Sequence, residues 1–177
     1  MKENFRPSLE KVLKHEGGWS NHRFDPGGAT MRGVTLRTYR SYYGHKTKHD
    51  LKNISQSELE HIYKKGYWDK CNCDSLPSGI DYAVFDFGIN SGPRRACKML
   101  QKVVGVKQDG IIGPITLKAI RHYKPSIVIK ALTNSRMSWL HRLSSWRFFG
   151  KGWSRRVAKV GFDAAVMVGN DGGMYYA

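Results

Sequence analysis

The sequence predicts a mainly α-helical protein with one small glycine-rich hairpin. Apolar side chains recur at spacings of three and four residues in several segments, as at Leu9, Val12 and Leu13. Turn-forming residues are concentrated in residues 17–35, where two glycine pairs flank a short polar stretch. A chain of 177 residues is long enough to bury a hydrophobic core without disulfides or structural metals.

The helices are predicted from their caps and from their apolar stripes. The first begins near Ser8 and reaches Glu16, because Gly17 and Gly18 follow it. The pair Ser55 and Glu58 has the spacing of a capping box at the start of a third helix. In chain order we expect helices over residues 8–16, 36–43, 55–65, 78–91, 94–104, 116–122 and 126–146, the last being the longest, with a small hairpin within 17–35.

The strong positive charge narrows the classes of partner. The net charge is +16, and after Asp109 the only acidic residues are Asp163 and Asp171. Such a field attracts polyanions, and charge alone would favour nucleic acid. However, the sequence contains no zinc-finger spacing, RNA-binding signature or dense basic run. We therefore expect no specific nucleic-acid partner, and a basic surface that aids solubility and adhesion to an anionic polymer.

The cysteines and the chain start bear on compartment and cofactors. Cys71, Cys73 and Cys97 are an odd set, which favours reduced thiols over a disulfide framework. No second cysteine pair or well-spaced histidine completes a metal site, so we expect no metal and no organic cofactor. The first residues lack an apolar segment of signal-peptide length, and no segment is long enough to span a membrane. The expectation is synthesis in the cytoplasm.

Two acids in the glycine-rich region suggest hydrolysis of a glycosidic bond. Glu16 is followed by Gly17 and Gly18, and Asp25 follows after eight intervening residues. Glycosidases use two carboxyl groups that flank the scissile bond. The negative end of the first helix should favour the protonated form of Glu16, which a general acid needs.

Several motifs resemble glycoside hydrolase family 108, a family of N-acetylmuramidases that cleave peptidoglycan. The Glu-Gly-Gly at 16–18, the DPGGAT segment at 25–30 and the Gly-Val-Thr at 33–35 are similar to its signature. Residues 85–93 resemble its buried helix and Asn-Ser-Gly turn. Residues 100–101 and 109–116 are similar to its companion peptidoglycan-binding segment. Trp153 and Arg156 resemble the closing Gly-Trp and Arg-Val pattern of the family. One departure is His22-Arg23, where the family commonly has Asp-Pro.

The resemblance implies a fold, a reaction and a domain division. It implies a lysozyme-like catalytic region at 1–92 and a helical peptidoglycan-binding region at 93–177, packed into one compact monomer. The reaction implied is cleavage of the β-1,4 bond between N-acetylmuramic acid and N-acetylglucosamine, with Glu16 as the acid. The glycan strands would be met in the periplasm or cell wall after release or export. Phage lysis and bacterial wall remodelling both remain open as the setting.

A further resemblance, to phage-type lysozymes, indicates the second half of the mechanism. Those enzymes have eight residues between the Glu and an Asp, with a Thr nearby, which here correspond to Asp25 and Thr30, although the Asp-to-Thr gap is one residue shorter. Asp25 and Thr30 would then hold and activate water, with inversion at the anomeric carbon. Candidate sugar contacts are Trp19 and Tyr43 by stacking and Asn90 by hydrogen bonding. The competing class is a non-catalytic basic protein that binds cell wall or nucleic acid.

Overall fold

The computed structural model describes residues 1–21 and 28–170, apart from the side chain of residue 170. The described residues form a mainly α-helical fold with a two-stranded sheet, as the sequence predicts. The helices are α1 Phe5–Leu13, α2 Leu36–Tyr43, α3 Lys48–Lys52, α4 Gln56–Tyr63, α5 Ile80–Ser91, α6 Pro93–Val103, α7 Pro114–Ile120, α8 Pro125–His141 and α9 Trp146–Asn170, and the strands are β1 Thr30–Met31 and β2 Val34–Thr35.

Contacts divide the chain into two compact units. The hairpin unit is Arg6–Gly66, and the bundle unit combines Met1–Phe5 with the described residues from Tyr67 onward. The predicted division at residue 92 and the predicted packing of the two regions into one compact unit both stay predictions. Among the described residues, no helix is both long and apolar enough to cross a membrane.

The hairpin unit contains the predicted hairpin and caps. Strands β1 and β2 are antiparallel, with Thr30 opposite Thr35, and the two-residue turn Arg32-Gly33 has positive φ at both positions (48° and 79°). Such turns match the twist of paired strands. The predicted capping box at Ser55 and Glu58 is present, and α2 ends at Gly44 as expected.

The bundle unit is built from α5, α6, α8 and α9, which pack against one another. Helix α5 is buried along most of its length, from Ile80 to Gly88. The predicted break at Gly92-Pro93 separates α5 from α6. The segment 1–5 joins this unit, because the Asn4 amide donates to Ser78 Oγ at 3.0 Å and to Asp81 Oδ2 at 2.9 Å.

Some predicted helix bounds are wrong. The first helix ends at Leu13, three residues before Glu16, and the helix at 55–65 gives way to a π-helical segment, Lys64–Trp68. The short helix α3 was not predicted. The longest helix is α9, not the segment 126–146, where α8 ends at His141. Helix α9 was not predicted because its sequence contains several glycines. One of them, Gly161, allows α8 to approach closely, since a Cβ there would lie 3.0 Å from Thr133 Oγ1.

Candidate active site

Glu16 reaches its position through two turns that follow α1. The N–H of His15 donates to the carbonyl of Val12 at 2.9 Å, and that of Glu16 to the carbonyl of Leu13 at 3.3 Å. Glu16 is therefore held beyond the helix, where the dipole argument loses most of its force. Its side chain is half-buried. Local turns, rather than a helix terminus, place this carboxyl group.

The carboxylate of Glu16 lies against the tip of the hairpin. A Cβ built on Gly33 would be 3.0 Å from Glu16 Oε2 and 3.3 Å from Cδ. The hydroxyl of Tyr63 borders the same point, and it donates to the carbonyl of Arg32 at 2.8 Å. Gly33 is exposed, whereas Tyr63 is fully buried beneath it. The acid, the hairpin turn and a buried phenol thus meet at one place on the surface of the hairpin unit.

Thr30 lies in the strand next to this turn. Its N–H donates to the carbonyl of Ser20 at 2.8 Å, and its carbonyl accepts from the N–H of Ser20 at 2.9 Å. Its hydroxyl donates to the carbonyl of Gly28 at 3.4 Å. Asp25 lies outside the described residues, so its position relative to Glu16 and Thr30 stays a prediction.

The predicted sugar-binding residues fall in both units. Trp19 is half-buried and directly precedes Ser20, the partner of Thr30. The hydroxyl of Tyr43 lies 3.0 Å from His61 Nδ1, and its ring meets Tyr39 edge-on at 5.4 Å. Tyr43 therefore belongs to an aromatic cluster with a well-fixed ring.

Asn90 lies in the last turn of α5, in the bundle unit. Its Oδ1 accepts from Arg136 Nη2 at 2.7 Å. This bond fixes the orientation of the amide and leaves its NH₂ group as the donor for a sugar or peptide carbonyl. Asn90 also borders a cavity that is not predictable from the sequence.

The three cysteines are buried, and their thiols are held in the protonated, unreactive form. Cys71, Cys73 and Cys97 are all free thiols. A hydrogen bond with a neighbouring cysteine, together with burial, raises the pKa of Cys71 and of Cys97, and burial raises the pKa of Cys73. In residues 1–21 and 28–170, no group of three or more His, Cys, Asp or Glu side chains is arranged to hold a metal ion.

Sequence reasoning missed two participants at the Glu16 site. Gly33 belongs to a quoted motif, but nothing in the sequence shows that a carboxylate packs on it. Tyr63 ends a helix whose start is clearly marked, and its burial beneath the turn depends on tertiary packing. Only the three-dimensional arrangement brings these residues to Glu16.

Comparison with known proteins places this chain in a family. A family model described as Glycosyl hydrolase 108 matches residues 9–92. The solved structure of SagA from Brucella abortus is 43% identical, covers 95% of this chain and 97% of its own, and superposes with a TM-score of 0.85. The chain belongs to glycoside hydrolase family 108. It is thus a glycoside hydrolase that acts on peptidoglycan.

The rest of this family 108 chain matches a second model. A model described as Predicted Peptidoglycan domain covers residues 95–158, which include α7, α8 and part of α9. A comparison with curated proteins gives no match. The two models together cover the segments that carry the resemblance seen in the sequence.

Proposed function

We propose that this family 108 hydrolase is an N-acetylmuramidase that cleaves the β-1,4 bond between N-acetylmuramic acid and N-acetylglucosamine. The observation that carries the proposal is the position of Glu16: its half-buried carboxyl group packs against Gly33, the exposed glycine of a hairpin turn. A glycine at that point leaves room for a sugar ring to approach the acid. A side chain there would occupy the same space.

Glu16 acts as the general acid. Its proton passes to the glycosidic oxygen as the bond from that oxygen to the anomeric carbon breaks. A water molecule forms the new bond to the anomeric carbon, and its proton passes to the Asp25 carboxylate. Water is the only co-reactant, and no metal or organic cofactor takes part. The sum of these steps is a single inverting hydrolysis.

Thr30 helps to position the water. Its main chain is fixed on one side by Ser20 and on the other by its pairing with Thr35. A hydroxyl on such a fixed strand can donate and accept hydrogen bonds without a large loss of side-chain entropy. Asp25, five residues before Thr30 in the sequence, is the proposed base for the same water.

Trp19, Tyr43 and Asn90 are the proposed substrate contacts. Trp19 and Tyr43 present aromatic faces that suit the apolar faces of sugar rings. Asn90 offers its amide NH₂, since its oxygen already accepts from Arg136. The substrate is the glycan strand of peptidoglycan in the periplasm or cell wall. A monomeric enzyme made in the cytoplasm would reach it after lysis or export, in phage release or in bacterial wall remodelling.

The test replaces Glu16 with glutamine. Glu16→Gln keeps the shape of the side chain but cannot supply the proton, so cleavage of purified peptidoglycan should fall by about a hundred- to ten-thousand-fold. Glu10→Gln is the matched control, because Glu10 is an exposed glutamate on α1. It should keep wild-type activity. A Glu16→Gln protein as active as this control would contradict the assignment.

The bond is identified by the new reducing end. Products from wild-type enzyme are reduced with borohydride and hydrolysed, and the resulting amino sugar alcohol is identified by mass spectrometry. A muramidase yields muramicitol. Glucosaminitol would show that the other β-1,4 bond of the strand is cut. Peptidoglycan that releases no soluble fragments at all would favour a non-catalytic basic wall-binding protein.

A further inference from the structure

The bundle unit contains a small cavity lined by α5, α8 and α9. Its volume is about 200 Å³. Its lining combines polar side chains with two indole rings and aliphatic side chains; among the lining residues are Asn90, Arg136, Trp139, Leu143, Trp153 and Arg156. A cavity of this size holds several water molecules, at about 30 Å³ each. It is therefore large enough for a carboxylate with a short aliphatic substituent.

Two arginines at this cavity share one buried carboxylate. Arg136 Nη1 donates to Asp86 Oδ1 at 2.7 Å, and Arg156 donates to Asp86 Oδ2 from Nε at 3.1 Å and from Nη2 at 2.8 Å. Asp86 is fully buried. Two positive charges and one negative charge leave this triad with a net charge of +1.

The formal charges of the two nearest described side chains, counted in the same way, leave this excess in place. Asp163 is the next acid that acts electrostatically on the buried Tyr82 beside Asp86, and its Oδ1 accepts from Lys159 Nζ at 2.6 Å. That pair adds no net charge. Arg95 adds a further cation, since its guanidinium lies 4.5 Å from the ring centroid of Trp139, which lines the cavity.

Arg136 is incompletely satisfied. It is only 4% exposed, and its Nε has no hydrogen-bond partner among the residues that the structure describes. Burial lowers the pKa of Arg136, and Asp86 counteracts this only in part. Most buried polar groups have a partner, and a buried charge without full compensation is costly. A site with excess positive charge and an unsatisfied guanidinium is suited to an anion.

We infer that this cavity binds a carboxylate group of the stem peptides of peptidoglycan. The carboxylate would lie beside Arg136 and Arg156. Trp139, Leu143 and Trp153 would contact the methyl or methylene groups next to that carboxylate. The inference rests on the proposed function, since stem peptides are joined to the muramic acid of the same strand. It assigns recognition of the peptide to the bundle unit.

Binding of a synthetic stem tetrapeptide that ends in D-alanine tests this inference. The titration uses the full-length Glu16→Gln protein, followed by calorimetry and by NMR shifts of the indole N–H signals. The free acid should bind at least about tenfold more tightly than the fully amidated peptide, as expected for a charge-assisted hydrogen bond. Equal affinity for the two peptides would overturn the inference. Inorganic phosphate and acetate serve as separate arms, and either one binding as tightly as the peptide would show a general anion site instead.

Substitutions locate the binding site. Arg156→Gln should weaken peptide binding about tenfold or more, and Arg156→Lys should restore part of it. Arg155→Gln is the matched control, because Arg155 is the exposed neighbour on α9 and its loss changes the net charge equally. Equal effects at positions 155 and 156 would contradict the site.

A second pair does not touch the buried triad. Leu143→Glu places a negative charge at the cavity and should abolish peptide binding, whereas Leu143→Gln, with nearly the same shape, should retain most of it. Equal binding by these two variants would overturn the inference even if Arg156→Gln fails to fold.

The test separates this inference from the proposed function. Wild-type enzyme is assayed on glycan strands from which the peptides have been removed. Cleavage of these strands without peptide binding would overturn only the stem-peptide site. Peptide binding without the release of muramic acid reducing ends would count only against the muramidase assignment.

Discussion

The carboxylate of Glu16 packs directly on Gly33, with Oε2 3.0 Å from the position that a Cβ would occupy. The two residues are 17 positions apart, and the hairpin between β1 and β2 brings the second to the first. The glycine thus serves two purposes. It permits φ of +79° in a tight turn, and it leaves space beside the acid.

A methyl group at Gly33 should therefore impair catalysis. Gly33→Ala would push Glu16 and Tyr63 from their positions, and misplacement by about 1 Å can cost roughly a hundredfold in rate. Gly44→Ala is the control, because Gly44 also has positive φ but no atom lies within 4 Å of its Cβ position. Both variants should lose roughly 1–3 kcal/mol of unfolding free energy, and only Gly33→Ala should lose most of its activity at 25 °C. Equal activities would show that Glu16 tolerates the displacement.

The reaction should invert the anomeric centre. Asp25 as a water-activating base requires the two carboxyl groups to be about 6.5–9.5 Å apart, whereas a nucleophile requires about 5–5.5 Å. Proton NMR of a soluble glycan fragment, recorded within the first minutes of cleavage, should show the α-anomer as the first product. A β-anomer at early times, or a sugar ester trapped on Asp25, would establish retention. Asp25→Asn should fold normally and be much slower.

Acid should destabilise the protein in part through Glu58. Partial burial alone would raise the pKa of Glu58, but hydrogen bonds from Ser55, the Tyr39 hydroxyl and Lys46 outweigh it and lower the pKa to about 2. Because the pKa of Glu58 is lower in the folded protein than in the unfolded chain, the unfolded chain takes up a proton first as the pH falls. The stability that Glu58 contributes above pH 4.5 is therefore lost as the pH falls towards 2.

The comparison with Glu58→Gln isolates this contribution. Urea unfolding followed by circular dichroism between pH 7 and pH 2 should show the wild type as more stable at neutral pH. The difference from Glu58→Gln should shrink steadily below pH 4.5. A difference that stays constant over this range would assign the acid sensitivity to other groups.

Gln101 should be essential for the turn that precedes α7. Its side chain is fully buried, its Nε2 donates to Asp109 Oδ1 at 2.7 Å and to the carbonyl of Ile111 at 2.9 Å, and its Oε1 accepts from the N–H of Gly110 at 2.8 Å. Gln101→Leu would leave these groups unsatisfied and should lower the unfolding free energy by about 2–4 kcal/mol. Lys102→Leu, on the exposed neighbour, should change it by less than about 0.5 kcal/mol. A loss below 1 kcal/mol for Gln101→Leu would mean that water replaces the amide.

Asp86 should be among the most sensitive positions of the bundle unit. Burial raises its pKa, but Arg136 and Arg156 outweigh this effect and hold it below the ordinary value, so the carboxylate is charged at neutral pH. Asp86→Asn would leave two guanidinium groups without their counter-charge and should cost about 3–5 kcal/mol. Glu60→Gln, which breaks the exposed pair with Arg6, should lower the free energy of unfolding by less than about 1 kcal/mol. Thermal unfolding of both variants beside the wild type measures the two losses. Similar losses for the two variants would contradict the buried-triad description.

Sequence reasoning succeeded where a local signal specifies the structure. The capping box at Ser55 and Glu58, the glycine stop at Gly44 and the Gly92-Pro93 break each depend on a few adjacent residues. It failed for α9, because the glycines within residues 146–170 disfavour a helix locally and packing against α8 outweighs them.

The candidate site was only partly accessible from the sequence for a similar reason. Glu16 stands out because of the glycines that follow it, but its contact with Gly33 depends on the hairpin. One feature of the sequence indicates the buried triad. Arg136 lies four residues after Leu132 and four before Leu140, on the buried stripe of α8. A lone cation on an apolar stripe indicates a buried partner, but it does not identify Asp86.

The segment 1–5 packs with α5 in a unit that is completed only by α9. The hairpin unit is thus inserted between two parts of the other. On the ribosome, residues 6–66 emerge in full before the last helix of the bundle unit is synthesised. The hairpin unit can therefore fold first, while residues 1–5 still lack the helices of their own unit. Protein engineers who exchange wall-binding modules between lytic enzymes would naturally cut near residues 92–95, where the two family models meet. That cut would part α5 from the helices it packs against, and a chimera joined at residues 5 and 67 is the sounder design.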